Sequence, residues 1–226
     1  MLVNVDDMKR HYQPLVSKAD ELIGKLEAVE AAKEETLCAV RGGSQNHGDE
    51  KTVEAMTKEE KKRYHAMIDP VCEEVQTKLD ECIDSAFMVE PYILTEWAPI
   101  LGNVDLSDDD LRAIARKYRN YSMYRAVISN GKRSNSDFAK KLEAELSEYR
   151  EGMKKNAEKL IRQARRAVKN DNFFGSYDRS WKEGVSDSIF DDMQALNSNF
   201  DAFLDDKHDV DYDDPLLNMI ASKANE

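Results

Sequence analysis

Proline and glycine are scarce in this chain, with five prolines and nine glycines in 226 residues. The charged fraction is high, at 35%, and Ala, Leu, Glu, Lys and Arg are prominent. That balance favours helices over a turn-rich sheet protein. Cysteine is almost absent too: Cys38, Cys72 and Cys82 lack C-x-x-C spacing, and an odd number leaves one unpaired. They read as reduced, small core residues of a cytosolic protein. No stretch approaches the ~20 apolar residues that span a bilayer, and the amino terminus has no basic region followed by an apolar run. The expectation is a protein of the cytoplasm with no membrane partner.

Catalytic signatures are missing as well. There is no Glu-x-x-His, no H-E-x-x-H, no G-x-S-x-G, no dinucleotide fingerprint and no Walker sequence. Gly42-Gly43-Ser44 lacks the Gly-Lys-Ser ending that would hold phosphate and magnesium. His65 and Asp69 are four apart on one helix face, but two ligands without a third do not define a metal site. Asp209, Asp211 and Asp213 match the start of a calcium loop, yet Asp214 stands where glycine is needed and Ile220 where a bidentate glutamate is needed. The reading is a non-enzyme with no cofactor and no metal.

What is present is segregated charge. The chain carries a net charge of -12, but residues 111–169 hold 17 basic against 6 acidic groups. From Leu111 to Ser136 there is no Asp or Glu at all. Residues 1–110 carry a net of -13 and residues 170–226 a net of -10. An acidic whole disfavours non-specific attraction to nucleic acid, while the basic middle can attract phosphate locally or pair with acidic surfaces.

Apolar periodicity places the helices. Residues 5–41 form one long helix or a kinked pair, with Leu15, Ala19, Leu22 and Leu26 inward and Pro14 near the first regular turn. Arg41 to Lys51 is a loop. Thr57 with Glu60 reads as a capping box opening a second helix that runs to about Val89, kinked or restarted at Asp69-Pro70. Residues 90–106 are an apolar connector containing Trp97, and they are the candidate boundary if the chain divides. Ser107 caps the next helix with Asp108, Asp109 and Asp110 in its first turn. Ser129 to Ser136 is a turn, and Ser136 caps a helix to about Lys169 with Phe138, Leu142, Leu146, Tyr149, Met153, Ala157, Leu160, Ala164 and Val168 inward. Asn170 to Ser176 ends it. Ser186 opens another helix, with Ile189, Met193, Leu196, Phe200 and Phe203 inward. The fold class is all-α: a single bundle of about five long helices over residues 1–204, then an acidic tail, 205–226, with a short terminal helix.

Two basic surfaces follow. Lys155, Lys159, Arg162, Arg166 and Lys169 recur at steps of four and three, away from Ala157. Pairs such as Glu151 to Lys155 are worth only ~0.3–0.5 kcal/mol, so helix stability does not account for the stripe. With Asp209, Asp211, Asp213 and Asp214 of the tail, it is the candidate partner-binding set for a protein partner or for self-association. The run Tyr118 to Arg125 interleaves aromatic and basic groups, as single-strand binders do. Arg112, Arg116, Arg119, Tyr121 and Arg125 are therefore the alternative, nucleic-acid set, with the tail as competitor. A third reading is an acidic mimic of nucleic acid that inhibits a host enzyme, using acids such as Glu27, Glu30 and Glu34.

One further likeness enters at residues 105–128. Asp105-Leu106-Ser107-Asp108-Asp109-Asp110-Leu111, then Ala115-Arg116-Lys117-Tyr118, Asn120, Met123 and Arg125-Ala126-Val127, resembles a segment of helical proteins from tailed phages and prophages. It covers about a tenth of the chain. The resemblance implies a virion, head-assembly or host-interaction protein without catalysis, and it carries over no site residues.

Overall fold

The computed structural model describes residues 2–42, 47–90, 101–102, 104–169 and 181–205. Among these residues there are six α-helices and no strand: α1 (Val5–Gly42), α2 (His47–Ala86), α3 (Asp108–Tyr118), α4 (Tyr121–Ser134), α5 (Asp137–Lys169) and α6 (Ser186–Asp205). The protein is an all-α helical bundle. A π-helical turn, Trp181–Val185, leads into α6. The chain divides into two compact units, one of Met1–Val5, Glu81–Lys155 and Asp192–Glu226, the other of Asp6–Asp80 and Asn156–Asp191.

In the first unit the lower half of α5 buries Phe138, Leu142, Leu146, Tyr149 and Met153, all at 5% exposure or less. Their spacing of three and four turns one face inward along the helix. Met123, Tyr124, Val127 and Ile128 of α4 and Phe200 and Leu204 of α6 are buried in the same unit. The aromatic side chains touch: Tyr124 meets Phe200 edge to face at 5.6 Å, and Phe138 stacks on Phe203 at 5.9 Å. Each such pair adds roughly 0.5–1.5 kcal/mol beyond the area it buries.

In the second unit Leu15, Ala19, Leu22, Ile23 and Leu26 of α1 are fully buried, as are Ile68, Cys72 and Leu79 of α2 and Ala157, Leu160, Ala164 and Val168 of α5. Tyr12 anchors this core with a polar handle. Its hydroxyl donates to the Leu160 carbonyl at 3.3 Å and shares a hydrogen bond with the Ser186 hydroxyl at 3.2 Å. Burial pushes the Tyr12 phenol up to about 12.

Several local expectations are corrected. Pro14 lies well inside α1 and Pro70 inside α2, and neither ends its helix. Both are solvent-facing, next to buried Leu15 in one case and close to buried Ile68 and Cys72 in the other. Side-chain burial on the inner face offsets the missing backbone donor, which costs ~3 kcal/mol in a helix interior. Asp69 is not a cap; it accepts ion pairs from α5, as described below. Thr57 is not a cap either: α2 begins at His47, and Thr57 Oγ1 donates to the Val53 carbonyl at 2.8 Å in mid-helix.

The basic-aromatic run does not lie on one helix. Arg119 adopts a left-handed conformation (φ 34°, ψ 40°) that ends α3, and its N–H donates to the Ala115 carbonyl. Asn120 then caps α4, its Oδ1 accepting from the Met123 N–H at 2.8 Å. Tyr118 therefore belongs to α3, and Tyr121 and Arg125 to α4. The expected turn at Ser129 to Ser136 is also shorter, because α4 continues through Asn130 and Gly131 to Ser134. Tertiary contacts hold these weak helix formers: Asn130 Nδ2 donates to the carbonyls of Leu101 and Val104, and Gly131 lies against Ala139 and Ser136. Of the cysteines only Cys72 is a core residue; Cys82 is half-buried and Cys38 exposed.

Candidate functional site

Two capping signals read from the sequence position the basic helices. The Ser107 hydroxyl accepts from the Asp110 N–H while Asp110 accepts from the Ser107 N–H, which satisfies two orphan donors at the start of α3. Ser136 Oγ accepts from the Ala139 N–H at 3.0 Å at the start of α5.

The nucleic-acid set is largely engaged within its own unit. Arg119 donates to Asp201 at 3.1 Å and to Asp205 at 2.5 Å, while Arg116 Nε donates to the Leu204 carbonyl at 3.1 Å and lies 3.5 Å from Asp205. The two arginines thus close over the last turn of α6, where unpaired carbonyls carry partial negative charge. The Arg112 guanidinium sits over the Phe138 ring at 5.0 Å. Tyr121 is half-buried, its ring edge to face with Phe87 at 5.1 Å. Arg125 alone of this set is exposed. The sequence signal for the set was the interleaving of aromatic and basic groups, and such a run does not distinguish a cation directed at an internal carboxylate from one directed at solvent.

The α5 stripe is different. In the second unit, Lys159, Arg162 and Arg166 are exposed, on the side opposite buried Ala157, Leu160 and Ala164. Lys159 Nζ donates to Asn156 Oδ1 at 3.0 Å. Arg162 and Arg166 have no carboxylate partner among the described residues. Lys169 is committed: it donates to both Asp69 oxygens, at 2.8 and 2.7 Å, and Arg165 joins it at 3.1 Å. Lys155, in the first unit, is strongly exposed and only loosely paired with Glu151 at 3.7 Å. Asp209, Asp211, Asp213 and Asp214 lie outside the described residues, as does Trp97.

Sequence reasoning missed one cationic group altogether. In the first unit Asp84 receives Arg150 at 2.8 Å and Lys154 at 2.9 Å, and hydrogen bonds from these two cations hold its carboxyl below the usual carboxylate range. The Arg150 guanidinium also lies 5.1 Å from the Phe87 ring centroid. The available signal was the spacing of Arg150 and Lys154 at i and i+4, which puts both on one side of α5; that Asp84 of α2 meets them is a tertiary fact. The two positive charges share a single carboxylate.

No protein-family model matches the chain, and no curated protein or solved structure matches it.

Proposed function

We propose that the chain is a non-catalytic interaction protein that docks an acidic protein surface, on a partner or on another copy of itself, through the exposed face of α5. The observation that carries this reading is the pair Arg162 and Arg166: exposed, four apart on one helix, and without a carboxylate partner among the described residues. Lys159 extends the same face. Complementary charge of this kind acts mainly on association rate and register. An assembly or host-interaction role, in the host cytoplasm or in a virion, agrees with the phage-like segment at residues 105–128.

The nucleic-acid alternative has less support, because Arg116 and Arg119 are tied to α6 and Tyr121 packs on Phe87. The acidic-mimic alternative is weakened by Glu30, which pairs with Lys61 and lies 3.5 Å from Lys33.

The test compares the wild-type chain with the double variant Arg162→Glu/Arg166→Glu, reading self-assembly by sedimentation velocity and the retention of co-purifying proteins. Charge reversal is expected to weaken one of the two by about tenfold, with the wild-type interaction falling as salt rises. If both readouts are unchanged by the reversal, the reading fails. Labelled single-stranded DNA titrated into the same samples reads the alternative, since binding that falls steeply with salt and is lost on reversal would assign the face to phosphate chains.

A further inference from the structure

The first unit carries a second surface whose chemistry is more specific than charge alone. Between α4 and α5 runs an open groove of about 420 Å³, closed at one side by Phe87. Its floor is apolar, made by Phe87, Ile128 and Leu146. Arg125 stands on one wall, exposed and without a carboxylate partner among the described residues, and Arg150 and Lys154 stand on the other. Among the described residues Arg150 and Lys154 share one carboxylate, Asp84, so the pair keeps a net positive charge there. The acids at the rim already have cations: Glu143 pairs with Lys132 at 2.7 Å and Glu151 with Lys155 at 3.7 Å.

We propose that this groove is a docking site for a short amphipathic peptide segment of a partner protein, one that presents aliphatic or aromatic side chains flanked by carboxylates. The apolar side chain seats on Ile128 and Leu146, and the carboxylates meet Arg125 and the Arg150–Lys154 pair. A cleft between two helices with an apolar floor is the geometry that accepts an amphipathic segment. Charge complementarity selects its sign and sets its register. A phosphate chain fits less well: Phe87, the one aromatic ring on the floor, is only 9% exposed, with Tyr121 and Arg150 against it, and offers little surface for base stacking. The groove is also half open to solvent, unlike the enclosed pockets that bury most of a small ligand. The proposal concerns a different surface from the α5 stripe and does not depend on it.

The test uses the full chain and fluorescein-labelled peptides, read by anisotropy. The probes are three repeats of Glu-Glu-Leu-Leu, with Glu-Glu-Ser-Ser and Lys-Lys-Leu-Leu repeats as controls, and an oligothymidylate as the phosphate chain. The Glu-Glu-Leu-Leu peptide is expected to bind about tenfold or more tightly than every other probe, and Arg125→Glu and Lys154→Glu are each expected to weaken it about tenfold. Circular dichroism melting checks that both variants fold. As a readout that needs no charge reversal, a photo-crosslinking amino acid at Ser147, on the groove lining, should capture the peptide, whereas one at Lys62 should not. Crosslinking from Ser147 should persist in Arg162→Glu/Arg166→Glu, so failure of this site and failure of the α5 reading are separable. The proposal is overturned if no peptide binds, if the serine peptide binds equally well, if Arg125→Glu has no effect, or if the oligothymidylate binds more tightly.

Discussion

Tyr149 and Asn197 share a buried hydrogen bond: the Tyr149 hydroxyl donates to Asn197 Oδ1 at 2.6 Å. The amino-terminal segment closes the ring. The Val3 N–H donates to the Tyr149 oxygen at 3.0 Å, and Asn197 Nδ2 donates to the Val3 carbonyl at 3.2 Å. All three residues are at most 3% exposed. Residues far apart in sequence thus complete one another's polar groups within the first unit.

Tyr149→Phe should therefore cost more than one surface hydroxyl. It leaves the Val3 N–H and the Asn197 carbonyl oxygen buried and short of a partner, at about 1–3 kcal/mol for such a loss. The check is denaturant unfolding, with amide exchange at Val3 as a local readout. A variant as stable as the parent, with Val3 still protected, would show that water or a shift of backbone replaces the bond.

Two helical glycines should respond to the same substitution with opposite signs. A Cβ at Gly131 would lie 2.2 Å from the Ala139 Cβ and 3.0 Å from the Ser136 Cβ, so Gly131→Ala forces α4 and the start of α5 apart and should destabilise by about 1–3 kcal/mol. Gly24, inside α1, has nothing within 4 Å of an added Cβ, and Gly24→Ala should stabilise by roughly 0.5–1 kcal/mol through backbone entropy alone. A melting temperature that rises with Gly131→Ala would contradict the packing described there, and one that falls with Gly24→Ala would contradict the open space at Gly24.

Alkaline pH should unfold the chain through its buried phenols. Burial raises the Tyr12 hydroxyl to about 12, and burial is also the main cause that raises Tyr124 and Tyr149 above the ordinary tyrosine value. These groups keep their protons in the folded chain and lose them near pH ~10 when unfolded. Between those values the unfolded state binds fewer protons, so stability falls as pH rises, by roughly 1.4 kcal/mol per pH unit for each such group, and is unaffected below the unfolded value. Phenolate absorbance followed with circular dichroism provides the check. Part of the signal from the nine tyrosines should appear only with loss of helix. Ionisation of all nine with helicity intact would refute the burial argument.

How much of this was legible in the sequence varies with the range of the interaction. The inner face of α5 was read correctly from Phe138 through Val168, because helical periodicity is a local property that burial preserves. The caps at Ser107 and Ser136 were also legible, since a capping side chain bonds within its own first turn. The breaks were not. Thr57 carries the pattern of a helix start, and Asn130-Gly131 that of a turn, yet both lie inside helices. At Gly131 the reason is the close approach of Ala139, and at Asn130 it is two carbonyls from the segment before α3. Pro14 and Pro70 sit on solvent-facing positions where core residues of the same helix outweigh their local penalty.

The amino-acid sequence by itself determined the all-α class, the long amphipathic α5 and the concentration of positive charge between residues 111 and 169, since composition and periodicity are properties of the chain alone. Only the tertiary structure decided which of those charges face solvent and which are held by carboxylates and carbonyls of the same chain. Arg116 and Arg119 meet the end of α6, Arg165 and Lys169 meet Asp69, and Arg150 and Lys154 divide Asp84 between them, while Arg125, Arg162 and Arg166 stay exposed. An ion pair depends on which helices are neighbours, and that is set by how their apolar faces pack together rather than by the spacing of charges along any one of them.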